Sequence, residues 1–165
     1  MLGVVLGLAL VGLAATEPGI YRDALHGFQL AYPAGAVVQW SGVPLRIDLP
    51  VSPGTTLREK FLWVEVNRTP PAPGAEEVVV QGRAFYLEAG VEGAAGSVYE
   101  YWRYYTALPD GEWLVLTCVL HSVNPAMLDS PPPEFDRQRE LDSFLALLAS
   151  VSTFPPGAGP GDVAQ

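Results

Sequence analysis

Cysteine, lysine and histidine are all scarce in this chain. Cys118 is the only cysteine in 165 residues, so no intrachain disulfide forms and the hydrophobic core must carry the fold by itself. The two histidines, His26 and His121, have no Cys, Asp or His at transition-metal spacing, so no metal or other cofactor is expected. Charge is sparse and one-sided. Only 16% of residues are charged, and 18 acidic against 9 basic residues give a formal net charge of −9, which disfavours nucleic acid and anionic lipid as partners. Lys60 is the only lysine; the remaining basic residues are arginine. No apolar run reaches the roughly 20 residues of a membrane-spanning helix, so no transmembrane span is expected in the mature chain.

What is present is apolar. Hydrophobic residues make up 49% of the chain, ample surface for one folded domain and too much for intrinsic disorder. Met1 to Ala15 carries no charge and reads as the apolar region of a signal peptide. Cleavage is expected near Ala14 or Ala15, after Gly12-Leu13-Ala14 or Leu13-Ala14-Ala15. The alternative is an uncleaved, partly buried N-terminal segment. These features predict an exported protein, periplasmic or extracellular, with residues 1–15 as leader, 16–154 as a single domain and 155–165 as a disordered tail rich in Pro and Gly.

Phe28, Leu30 and Tyr32 alternate with Gln29 and Ala31, the period of a half-buried strand, which Pro33 ends. Val37–Trp40 and Leu45–Leu49 read as short extended segments, and Phe61–Val66 as a central strand. Asn67–Ala75, with its prolines, reads as a surface loop. From Val78 to Ser122 the pattern is an antiparallel meander, with turns at Gln81-Gly82, through Gly90–Gly96 and at Pro109-Asp110-Gly111. Trp113–Leu120 is apolar on both faces, which predicts a sheet covered on both sides. Cys118 lies within this run as a buried, inert thiol.

The helix is expected to begin at Pro133, where a missing N–H costs nothing, with Glu134 and Asp136 in its first turn. Leu141, Phe144, Leu145, Leu148 and Val151 form one stripe at 100° per residue, to be packed on the sheet. Phe135 falls off the stripe and is expected under the preceding loop. A short terminal strand is expected near Val151–Phe154.

Gly27-Phe28-Gln29-Leu30-Ala31-Tyr32-Pro33 resembles the opening strand of PsbP-like proteins. Leu120-His121-Ser122-Val123-Asn124-Pro125, Glu134-Phe135-Asp136 and the closing Phe144…Val151-Ser152-Thr153-Phe154 are similar to the C-terminal pattern of exported bacterial members. The resemblance spans residues 27–154 and implies an α+β fold of the Mog1/PsbP kind: an antiparallel sheet in an α/β/α sandwich with a C-terminal amphipathic helix. It also implies an accessory or binding role.

The candidate sites are few. Tyr99, Tyr101 and Tyr105 point to one side of their strand with Arg103 among them, while Trp102 and Tyr104 point to the other. If the first set is exposed it forms an amphipathic contact surface; otherwise it fills the sheet. His121 and Asn124 lie at the strand end and the following loop, where His121 hydrogen-bonds the turning chain or acts chemically. Ser122 lacks the sequence of a nucleophile elbow. Asp136 and Glu140 are four apart and bring two carboxylates together, for a hard cation or acid/base chemistry, or form a solvated face with Arg137 and Arg139. The expectation is an exported, non-catalytic binding or accessory module of the cell envelope. Its partner is an unknown envelope protein, met through the aromatic strand or the loop Ser122–Pro133. The alternatives are a carrier with an aromatic-lined pocket for a small ligand, or a hydrolase using His121 and Asp136.

Overall fold

The computed structural model describes residues 17–39 and 42–157. The expected leader lies outside the described residues. Among the described residues ten strands and one α-helix form in the order β1 Gly19–Asp23, β2 Phe28–Tyr32, β3 Val37–Gln39, β4 Leu45–Asp48, β5 Leu57–Asn67, β6 Glu76–Val80, β7 Arg83–Ala94, β8 Ser97–Ala107, β9 Trp113–Val123, α1 Arg137–Ala149 and β10 Ser152–Thr153. Seven strands make one antiparallel sheet in the order β3-β4-β5-β9-β8-β7-β6. A second, three-stranded sheet has the order β1-β2-β10. The class is α+β, mainly antiparallel sheet.

Strand β9 sits at the centre because its run of apolar residues suits burial from both neighbouring strands. Its even-numbered residues Leu114, Leu116, Cys118 and Leu120 are fully buried. They join Phe28 and Leu30 of β2 and Phe144, Leu147 and Leu148 of α1 in one core. The helix and the small sheet therefore lie together on the even side. Burial pushes the Cys118 thiol well up from its ordinary range, as expected for an inert cysteine.

The other side departs from expectation. Among the described residues no helix or strand lies over the odd side of β9, so the expected second covering layer is not found among them. Val115, Thr117 and Val119 are nonetheless buried. In the register, Val119 lies between Phe61 and Tyr101, Thr117 between Trp63 and Arg103, and Val115 between Glu65 and Tyr105. Long cross-strand neighbours close over the short residues, so side chains supply the cover that a second layer was expected to give.

The helix also begins later than Pro133. Asp136 caps it, its side chain accepting from Arg139 N–H at 3.1 Å, while its backbone stays extended. The buried face comprises Glu140, Phe144, Leu147 and Leu148. Leu145 is left 37% exposed, so the buried stripe is rotated from the expected one. Glu140 joins that face because it meets Lys60 of β5 at 2.5 Å, both side chains being buried. It is not half of a carboxylate pair with Asp136, nor a partner of Arg137 or Arg139. Arg137 instead meets Glu100 of β8 with two hydrogen bonds, 2.7 and 2.9 Å long, so two ion pairs fasten α1 to the sheet. Phe135 is partly buried against the core.

Two further expectations are corrected. Strand β7 runs through Gly90 and Gly93 to Ala94, where a loop was expected, and turns only at Ala95-Gly96. Gly90 is tolerated mid-strand because the Tyr101 ring fills the space its side chain leaves; a Cβ there would lie 2.3 Å from the Tyr101 hydroxyl. The start of the tail is held rather than loose, since Gly157 N–H donates to Ala24 O at 2.7 Å. Residues 158–165 and Trp40 lie outside the described residues. The hairpin at Asp110-Gly111 forms as expected, closed by Leu108 N–H to Glu112 O at 2.8 Å.

Candidate functional site

The strand period of two puts Tyr99, Tyr101, Arg103 and Tyr105 on the open, odd side, beside His121 of β9. Trp102 and Tyr104 point the other way and pack with the core, where burial pushes the Tyr104 phenol up to about 12. The four expected residues are not equally available. Tyr99 is 36% exposed, and Tyr101 and Arg103 are half-buried. Tyr105 is buried and donates its hydroxyl to Glu88 Oε2 at 2.9 Å. That burial raises its pKa, with Glu88 adding to the shift and Arg103 opposing it.

Residues that sequence reasoning left aside complete the face. Phe61 and Trp63 of β5 lie across β9 from Tyr101 and Arg103. Tyr86 of β7 meets Trp113 of β9 edge-on, centroids 5.9 Å apart. Period-two counting along β5 and β7 puts these on a face. Which face stays open depends on where the helix docks, and that is not written in either strand.

Charge on this face is strongly acidic. Asp48, Glu59, Glu65, Glu77, Glu88 and Glu92 share it by register, against the guanidinium groups of Arg46 and Arg103. Arg46 lies 3.8 Å over the Phe61 ring and 2.7 Å from Asp48. Arg103 approaches Glu88 at 3.8 Å, and its pKa is raised chiefly by hydrogen bonding to Tyr105. Glu65 and Glu92 have no basic partner among the described residues. The loop after β5 reaches one corner, where Ala72 N–H donates to Glu88 Oε1 at 2.7 Å.

At the far end of the face His121 contacts three side chains. Its Nδ1 lies 3.2 Å from Glu59 Oε2 and its Nε2 3.1 Å from Ser97 Oγ. The Tyr99 ring stacks on the imidazole with centroids 4.2 Å apart and planes 8° from parallel. His121 therefore bonds across strands rather than to the turning chain. Asn124 caps the short 3-10 turn Pro125–Met127, its Oδ1 accepting from Ala126 N–H at 3.1 Å. Asp136 is not part of this cluster: it caps α1, which packs on the even side, so the structure does not bring together the pair His121 and Asp136.

No group of three or more potential metal-ligating side chains occurs among the described residues. The open depressions of about 580, 380 and 360 Å³ are lined by groups such as Arg68 with Glu112, Val79 with Leu145, and Lys60 with Ser143. None of these three has a Phe, Tyr or Trp in its wall, so they give the aromatic-lined carrier no support. No helix of the described residues is long and apolar enough to cross a membrane.

No protein family's sequence description matches this chain, and no curated protein matches it. Three solved chains do match. One, from Bacteroides thetaiotaomicron VPI-5482, superposes with a TM-score of 0.52 at 10% identity, over 88% of this chain and 51% of that one. Likeness at that identity concerns the fold alone, and this chain spans about half the length of that neighbour.

Proposed function

We propose that this chain is an exported binding module of the cell envelope that receives a basic protein surface on the aromatic, acidic face of its large sheet. The observation carrying this reading is the unequal treatment of the two faces. One is closed by the helix and the small sheet, and the other presents half-buried rings among six carboxylates and two guanidinium groups. Rings at a sheet surface supply contact area at low entropic cost, and unpaired carboxylates favour a partner carrying Arg or Lys. Binding of this kind requires no chemistry from the module. The apolar leader, Met1–Ala15, supports export, and the motifs at residues 27–33 and 120–154 support placing the chain near PsbP-like proteins of the Mog1/PsbP fold.

The test is capture from an envelope fraction by the immobilised protein and by a variant with Glu65→Arg, Glu92→Arg and Tyr101→Ala. A basic partner held by the wild type, released by moderate salt and lost by the variant is the expected result. Equal capture by both proteins, or a captured partner with an acidic contact surface, refutes the assignment.

A further inference from the structure

Three neighbouring strands bring Ser97, His121 and Glu59 into line at one end of the open face. Register alone arranges them: His121 stands opposite Glu59 on β5 and Tyr99 on β8, and Ser97 is two residues from Tyr99 on the same side. Ser97 Oγ is 3.1 Å from His121 Nε2, and His121 Nδ1 is 3.2 Å from Glu59 Oε2. A proton on Nδ1, held toward the carboxylate, leaves the Nε2 lone pair facing the serine hydroxyl. This is the order of groups that activates a serine nucleophile.

The surroundings hold the imidazole and the serine in place. Tyr99 stacked on the ring fixes its plane, and Arg46, 3.8 Å from Glu59, keeps a positive charge beside the carboxylate. Ser97 follows a two-residue turn in which Ala95 and Gly96 both have positive φ, 49° and 85°. A non-glycine residue in that region stores strain, and such strain gathers at functional positions. Asn124 N–H pins the turn at Gly96 O, 2.7 Å away. Ser97 and His121 are half-buried and Glu59 is exposed, so solvent and a small substrate reach the cluster.

We propose that Ser97 is a nucleophile, with His121 its general base and Glu59 a positioning residue, reacting with small activated carboxylic esters. Ser97 Oγ bonds to the acyl carbon as the bond to the leaving alkoxide breaks. The hydroxyl proton passes to His121 Nε2 and then to the alkoxide, which departs as the alcohol. Water attacks the acyl-serine, giving its proton to Nε2, which returns it to Ser97 Oγ as the carboxylic acid leaves. Glu59 stays ionised throughout. The cluster lies on the face proposed for the partner, so the reaction belongs to the free chain, and its test does not depend on a partner being found.

The test treats the folded full chain with a fluorophosphonate probe and with p-nitrophenyl acetate, locating adducts by mass spectrometry. One adduct on Ser97 is expected, absent in Ser97→Ala. The labelling rate constant should fall at least about 100-fold in His121→Asn. Glu59→Gln should lower it less, with the half-saturating probe concentration unchanged, which separates positioning from binding. Melting curves establish that the variants fold, and His121→Gln replaces His121→Asn if the latter does not. No adduct in the wild type, an adduct elsewhere than Ser97, or equal labelling without His121 overturns the proposal and leaves the three residues as a cross-strand fastening.

Discussion

Replacing Lys60 with methionine tests how the helix is held to the sheet. Lys60 Nζ meets Glu140 Oε2 at 2.5 Å and Ser143 Oγ at 3.1 Å, and Ser52 Oγ donates to Glu140 Oε1 at 3.1 Å. The two charged side chains are 7% and 5% exposed. Lys60→Met keeps the length and apolar stem but leaves Glu140 buried with one hydroxyl donor. Stranding one member of a buried pair costs about 3–5 kcal/mol, a fall in melting temperature of roughly 10 °C for a domain of this size. The open depression beside the pair admits water and holds the cost to the lower end of that range. Lys60→Met with Glu140→Leu removes both charges and should return stability to within about 2 kcal/mol of wild type. Arg68→Ala, removing a guanidinium that is 90% exposed and paired with Glu112, serves as the surface control and should cost less than about 1 kcal/mol. Urea denaturation of wild type, Lys60→Met, Glu140→Leu and the double variant gives the coupling energy, with Arg68→Ala measured alongside. A Lys60→Met cost near that of the control, with additive effects in the double variant, would refute the buried-pair argument.

Three other outcomes follow from particular contacts. Burial pushes the Tyr104 phenol up to about 12, so it stays neutral in the folded chain beyond its ordinary 10.0. The unfolded chain therefore loses that proton first, and stability is lost as pH rises above 10, by at most about 1.4 kcal/mol per pH unit. Denaturation across that window should give a flatter profile for Tyr104→Phe; an unchanged slope would assign the loss to other groups. Gly27 has φ 73°, and a Cβ there would sit 2.1 Å from Phe154 O, so Gly27→Ala should cost roughly 2–3 kcal/mol in urea denaturation; a loss below 0.5 on the same scale (about 0.5 kcal/mol) counts against this close approach. Asp136→Ala removes the cap of α1 and should cost about 1 kcal/mol, whereas Pro133→Ala should cost far less if the helix starts at Arg137, as melting curves will distinguish.

Much of the sheet was legible from local pattern. The alternation in Phe28–Tyr32, the apolar run of β9 and the turn at Asp110-Gly111 each carry their own signal. The helix start was misplaced because Pro133 is a permissive first residue, while Asp136, three residues on, supplies a side chain that satisfies Arg139 N–H. Glu140 reads in sequence as half of a carboxylate pair with Asp136 or as part of a solvated face, because its partner, Lys60, is eighty positions away. Separations of 24 and 62 positions likewise hide the cluster of Ser97, His121 and Glu59, whose members come from three strands and share no motif. Apolar residues on both faces of β9 suggested two covering layers; cross-strand rings met that need on one side, an outcome that depends on register rather than composition.

We propose that the odd face of the large sheet is open in the free protein and engaged by a partner in the complex. Hydroxyl-radical footprinting of the free protein and of its captured complex tests both parts. Tyr99, Tyr101 and Trp63 should be oxidised readily in the free chain, while Phe85 and Phe144, fully buried on the other side, stay protected. In the complex the first three should become protected and the helix residue Leu145 should not. Protection of Tyr99, Tyr101 and Trp63 in the free protein, or a complex that shields α1 and leaves those rings reactive, would contradict the account.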